Sequence, residues 1–178
     1  MMKRSRLPPT WRIALFICVV AAIFWLGAVN VRALIGSDLL KRGTLEFEEY
    51  LAPEAELEIF RLISATSVVV LVSYAITVIS SIVFLATSPF RMKQHGWLLM
   101  SAILFYVFVP IEIFTLYIDW KMIYLEFFTT ADNALFRELF LARVGALAGA
   151  PVIAHLCYYT IIALAIFQPM KKSVSPST

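Results

Sequence analysis

Four stretches of this chain, at about 11–34, 62–86, 97–118 and 140–167, run for 20 or so residues with almost no charge. A helix needs about 20 apolar residues to cross the roughly 30 Å hydrocarbon core of a bilayer. Only helices and closed barrels satisfy all their backbone polar groups there. The runs lack the period-two alternation of barrel strands, and each is too long for one. The expected fold is therefore an all-α integral membrane protein. It is a four-transmembrane-helix bundle forming a single membrane domain over 1–178, with helices two to four extending beyond the outer face.

Composition agrees. Hydrophobic residues make up 61% of the 178 and charged residues 15%, against about 25% charged in an ordinary soluble domain. Four spans and their connections use nearly the whole length. The formal charge of +3 comes from basic residues beside apolar runs, where they report topology rather than nucleic-acid binding. The first run follows Lys3, Arg4 and Arg6 but is longer than the roughly 7–15 residues of a cleavable signal core, so it is expected to remain as a span. Cys18 and Cys157 both lie inside apolar runs and read as small buried hydrophobes.

The amino end carries Lys3, Arg4, Arg6 and Arg12, the short second connection Arg91 and Lys93, and the polar tail 169–178 carries Lys171 and Lys172. No acid accompanies them. Those segments are expected on the cytoplasmic side of a cell (inner or plasma) membrane, with both termini inside. The longer connections, about 35–61 and 119–139, hold every acidic residue outside the third span and face outward. Pro53 followed by Glu54, Glu56 and Glu58 predicts that the second helix starts outside the membrane, with proline at its first position and acids in its dipole-favoured first turn. Thr129 and Asp132 have the spacing of a capping box for the fourth helix. Thr129 and Thr130 then mark the turn between helices three and four.

Few residues in the apolar runs carry chemistry. Glu112, Asp119 and Glu126 repeat at seven-residue spacing on one helical stripe, and only Glu112 falls deep in the hydrocarbon, where an unpaired charge costs at least about 3 kcal/mol. If helices three and four turn at the threonines, Arg143 lies between the levels of Glu112 and Asp119, and Arg137 between those of Asp119 and Glu126, an acid and base ladder. His155 sits mid-span in the fourth run. A metal there would need partners, and the other histidine, His95, belongs to the cytoplasmic turn. Asn30 and Arg32 end the first span near the outer face, where Arg32 snorkels to the headgroups or reaches Asp119 or the acids after Pro53. Glu112, Asp119, Arg143 and His155 form the expected intramembrane polar network, with Asn30, Arg32, Glu126 and Arg137 as outer-face partners.

Two packing seams stand beside these groups. The second run places Thr66, Ser73, Ser80 and Thr87 on one line and Ser67, Tyr74, Ser81 and Ser88 on the next. The fourth carries Gly145-x-x-x-Gly149 and Ala142, Ala146, Ala150 and Ala154. In lipid, helices associate through such small and hydroxyl residues. Pro110 and Pro151 are expected to kink their helices. No phosphate cradle, nucleophile elbow, paired cysteines or facing histidines occur, so neither cofactor nor metal is expected. The expected partners are membrane lipids and other membrane subunits or a second copy. The reading is a non-enzymatic structural or accessory subunit with an acidic outer docking surface. The alternatives are a small transporter or proton-coupled protein using Glu112, Arg143 and His155, and an enzyme acting on a lipid through Asp119, Lys121 and Arg143.

Overall fold

A computed structural model describes residues 9–41, 43–48, 51–90, 92, 95–129 and 132–169 of the chain. They form α1 (Thr10–Ser37), α2 (Pro53–Thr87), α3 (Gly96–Val107), α4 (Val109–Phe128), α5 (Asn133–Val144), a 3-10 turn (Ala146–Gly149) and α6 (Ala150–Phe167). No strand forms among the described residues. Four helical stretches are long and apolar enough to cross a membrane: Thr10–Ser37, Pro53–Thr87, Gly96–Phe128 and Ala150–Phe167. Between 11% and 33% of their most apolar windows is buried, so most of that surface faces outward, as lipid-facing helices require. The basic residues Lys3, Arg4, Arg6, Arg91, Lys93, Lys171 and Lys172, and Thr130, lie outside the described residues.

The chain divides into two compact units. One comprises the chain up to Ser88 together with Asp119–Phe140, and the other Pro89–Ile118 and the chain from Leu141. In the first, α1 packs along α2. The buried positions of α2 include Glu56, Phe60, Ile63, Ser67, Val70, Tyr74, Thr77 and Phe84, a 3-4 spacing that keeps one face toward its neighbours. Ser73, Thr77 and Ser80 donate back to carbonyls one turn earlier, Thr77 to Ser73 at 2.8 Å and Ser80 to Ile76 at 2.6 Å. Their hydroxyls are thereby satisfied without separating the helices. Ala14 and Ala21 are buried on α1, and the Trp25 and Tyr74 rings meet at 4.8 Å. Of the expected seam, Thr66 is half-buried and Thr87 exposed, and each donates to a carbonyl of its own helix.

α2 begins at Pro53 with proline at its amino end. Before it, residues 39–41 and 43–48 pair as a small hairpin: Leu40 and Phe47 bridge, Glu48 N–H reaches the Leu39 carbonyl at 3.0 Å and Lys41 N–H the Glu46 carbonyl at 2.8 Å. Gly43 takes the left-handed conformation at φ +79 that its turn requires. The hairpin's Leu39 joins Phe60, Ile63, Met122, Leu125, Phe136 and Phe140 in one buried cluster. This headpiece core ties α2, α4 and α5 together. Gly36 belongs to the same join, since a Cβ there would stand 3.1 Å from the Phe140 ring.

The third span is interrupted at Phe108 and runs on to Phe128, in line with the kink expected at Pro110 and the extension expected beyond 118, because Pro110 has no N–H to continue the ladder through the break. Two expectations about the fourth span and its cap are corrected. The fourth is not continuous over 140–167. It stops at Val144 and restarts at Ala150, with Gly149 left-handed at φ +86 as the N-cap of α6 and Pro151 in its first turn. Gly145 and Gly149 therefore end and begin helices instead of forming a small-residue packing face. The α5 cap is not a Thr129 capping box. Asp132 Oδ1 accepts from Leu135 N–H at 3.1 Å, whereas Thr129 donates to the Leu125 carbonyl at 2.7 Å, satisfying the end of α4. Asp132→Ala is expected to lower stability by about 1 kcal/mol, as loss of an N-cap does, measurable as a lowered midpoint of unfolding in detergent.

Candidate functional site

The α4 helix has two faces. Glu112, Thr115, Asp119 and Met122 are buried, while Phe114, Tyr117, Trp120, Tyr124 and Phe128 on the opposite side are exposed. Among the described residues, each buried ionisable side chain, Arg32, Glu56, Glu112 and Asp119, meets a partner from another element. In the first unit, Arg32, 8% exposed near the end of α1, donates from Nη1 to Asp119 Oδ2 at 2.6 Å and to Ser67 Oγ at 3.1 Å. Asp119 is 1% exposed. One guanidinium nitrogen thus links α1, α2 and α4. Burying such a pair is costly, and it is held only where geometry and further hydrogen bonds compensate; Ser67 supplies one.

A second pair sits above it in the same unit. Glu56, 4% exposed, accepts from both Nε and Nη2 of Arg137, the two-pronged geometry that gives arginine and carboxylate pairs their strength. The Phe47 ring lies 5.0 Å under the guanidinium and 6.1 Å from the Phe140 ring. Hydrogen bonding to Glu56 holds the Arg137 pKa above its ordinary value, against a smaller opposing effect of burial. The expected ladder is thus altered at this rung: Arg137 reaches back to α2, not to Asp119 or Glu126 on α4. Glu126 lies within electrostatic reach of Arg61 and Glu58.

In the second unit Tyr158 of α6 donates its hydroxyl to Glu112 Oε1 at 3.1 Å, both groups being buried. His155 is half-buried and stands edge-on to the Tyr159 ring at 5.1 Å. Arg143 is half-buried in the last turn of α5, where a cation meets the negative end of the helix dipole. Asn30 is exposed and donates to the Leu26 carbonyl at 2.9 Å.

The structure thus joins Arg32 to Asp119, and it adds three partners that the sequence had not assigned to these charges: Ser67, Glu56 and Tyr158. Glu56 was detectable, since it occupies the same 3-4 stripe as Phe60 and Ile63 and not the exposed one of Glu54 and Glu58. Among the described residues no three His, Cys, Asp or Glu side chains gather closely enough to hold a metal ion. Chemically the three sites are clasps between helices, each joining a carboxyl to a donor from another element. Compared with known protein families, curated proteins and solved structures, the chain matches none.

Proposed function

We propose that this chain is a tetraspan membrane protein of the inner or plasma membrane. It acts without catalysis as a structural or accessory subunit of a membrane complex, through an acidic headpiece standing outside the bilayer. The observation that carries the reading is how its buried charges are used. Asp119 and Glu56 are both clasped by arginines from other elements, so the polar side chains inside the fold hold helices together.

Helix lengths support the layout. Ser67 precedes the end of α2 by about 20 residues, Arg32 follows the start of α1 by about as many, and Asp119 follows Gly96 by slightly more, each close to 30 Å of rise. The Arg32, Ser67 and Asp119 cluster then marks the outer edge of the hydrocarbon. The first 14 or so residues of α2, about 20 Å, stand beyond it with the end of α4, α5 and the hairpin. Asp38, Glu46, Glu54, Glu58, Asp132 and Glu138 are exposed there, giving a predominantly acidic surface suited to a basic partner. The density of Lys and Arg at the opposite ends of the spans supports cytoplasmic termini.

Extraction from native membranes in mild detergent, followed by native mass spectrometry, tests this. The expected result is a stoichiometric membrane-protein partner that is lost when Glu54 and Glu58 are both replaced by lysine, with the helical content of the variant unchanged. Flux of a solute or ion through liposomes holding only the purified chain would refute the subunit reading.

A further inference from the structure

Glu112 lies in the first turn of α4, directly after the interruption at Phe108, and its amide donates to the Phe108 carbonyl at 3.0 Å. The Thr115 hydroxyl turns back onto the Glu112 carbonyl at 2.9 Å. From α6, Tyr158, 3% exposed, donates to Oε1. The Phe105 and Phe108 rings stand 6.0 and 6.3 Å from that of Tyr158. Aromatic rings thus flank the hydroxyl donor of a buried carboxyl that lies seven residues, about 10 Å of helix, inward of Asp119. On the membrane reading above, this is within the hydrocarbon.

We propose that Glu112 and Tyr158 form a reversible proton-binding site in the apolar layer. The chemistry rests on which atom does what. A carboxyl oxygen accepts a hydrogen bond whether or not the group is ionised, and the protonated form adds one O–H donor. Tyr158 can therefore hold Oε1 in both states while the carboxyl gains and loses its proton. The positioning bond survives the exchange. Ionisable side chains within the hydrocarbon commonly mark proton relays or ion pathways. The other titratable or charged side chains among the described residues of this unit are His95 ahead of α3, Tyr106 on α3, Tyr117 on α4, Arg143 at the end of α5, and His155, Cys157 and Tyr159 on α6. His155 faces the Tyr159 ring.

The site is tested on the intact chain in phosphatidylcholine liposomes with dicyclohexylcarbodiimide, an apolar reagent that reacts with protonated carboxyl groups. The acid proton moves to a carbodiimide nitrogen and the carboxylate oxygen bonds to the central carbon. Migration of the acyl group to nitrogen then leaves a stable N-acylurea, with no by-product. A water-soluble cationic carbodiimide used in parallel marks exposed carboxyls such as Glu54 and Glu58. Peptide mass mapping is expected to find the apolar adduct on Glu112, its rate falling about tenfold for each pH unit above a midpoint. Tyr158→Phe is expected to keep the adduct and move that midpoint. No adduct on Glu112, an adduct indifferent to pH, or an unmoved midpoint in Tyr158→Phe overturns the proposal. These outcomes leave the subunit reading untouched, whereas ion flux through the purified chain would overturn that reading and not this one.

Discussion

Replacing Arg32 with alanine is expected to destabilise the protein by about 3–5 kcal/mol, because it strands a buried carboxylate and does not merely delete a contact. Asp119 is 1% exposed. Without the guanidinium it must be hydrated or neutralised in its buried site, and Ser67 also loses its donor. Such a loss is a large share of the 5–15 kcal/mol that holds a typical domain together. Titration with sodium dodecyl sulfate in mixed micelles, followed by circular dichroism, reads it as an earlier loss of helix. The informative companion is the double change Arg32→Met with Asp119→Leu, which removes both charges and fills their place with apolar side chains. Apolar replacement of a whole buried pair is often neutral or stabilising, so the double variant is expected to recover most of what the single one loses. A single variant within about 0.5 kcal/mol of the parent, the range of ordinary surface substitutions, would show that water already reaches the pair.

The contrast between local and long-range information explains what could be read from the chain. The start of α2 at Pro53 was legible because a proline followed by acids acts within one helical turn. The existence of four long apolar helical stretches was legible because hydropathy is summed over 20 residues. The ends of helices were misread where two local signals compete. Thr129 and Asp132 both suit a cap, and only the fold shows that Thr129 closes α4 while Asp132 opens α5. Gly145 and Gly149 have the spacing of a packing motif as well as the chemistry of a helix stop, and with Pro151 following, the stop prevails. The clasps were legible only in part: Arg32 reaching Asp119 was one of the expected alternatives, whereas Arg137 with Glu56 was not anticipated. Arg32 with Asp119 and Arg137 with Glu56 are separated by 87 and 81 residues. The ladder argument set Arg137 against α4 by assuming that two helices face each other in straight register. In the fold α2 and the hairpin approach α5 as well, and Glu56 takes the guanidinium.

Phe60→Ala is expected to cost about 3–5 kcal/mol, the usual range for emptying a fully buried aromatic site, and to act on the headpiece first. Phe60 is 1% exposed and stacks on Phe136 with ring centroids 4.2 Å apart and 20° between planes. Offset aromatic pairs add about 0.5–1.5 kcal/mol beyond the area they bury. The cavity would open where hairpin, α2, α4 and α5 meet, next to Leu39, Met122 and Phe140. None of the α1 contacts at Trp25 or Cys18 lies in that cluster. Local opening should therefore precede global loss, as in proteins whose substructures differ in stability. Hydrogen exchange in nanodiscs would show it. The amides of Leu39, Glu48 and α5 are expected to lose protection, while those of α2 beyond Ser67 keep theirs. Equal loss along all of α2 would instead mean that headpiece and membrane part unfold as one body. The proposed acidic docking surface would then depend on the same cooperative core as the spans, and a partner bound there would stabilise the whole protein, not the headpiece alone.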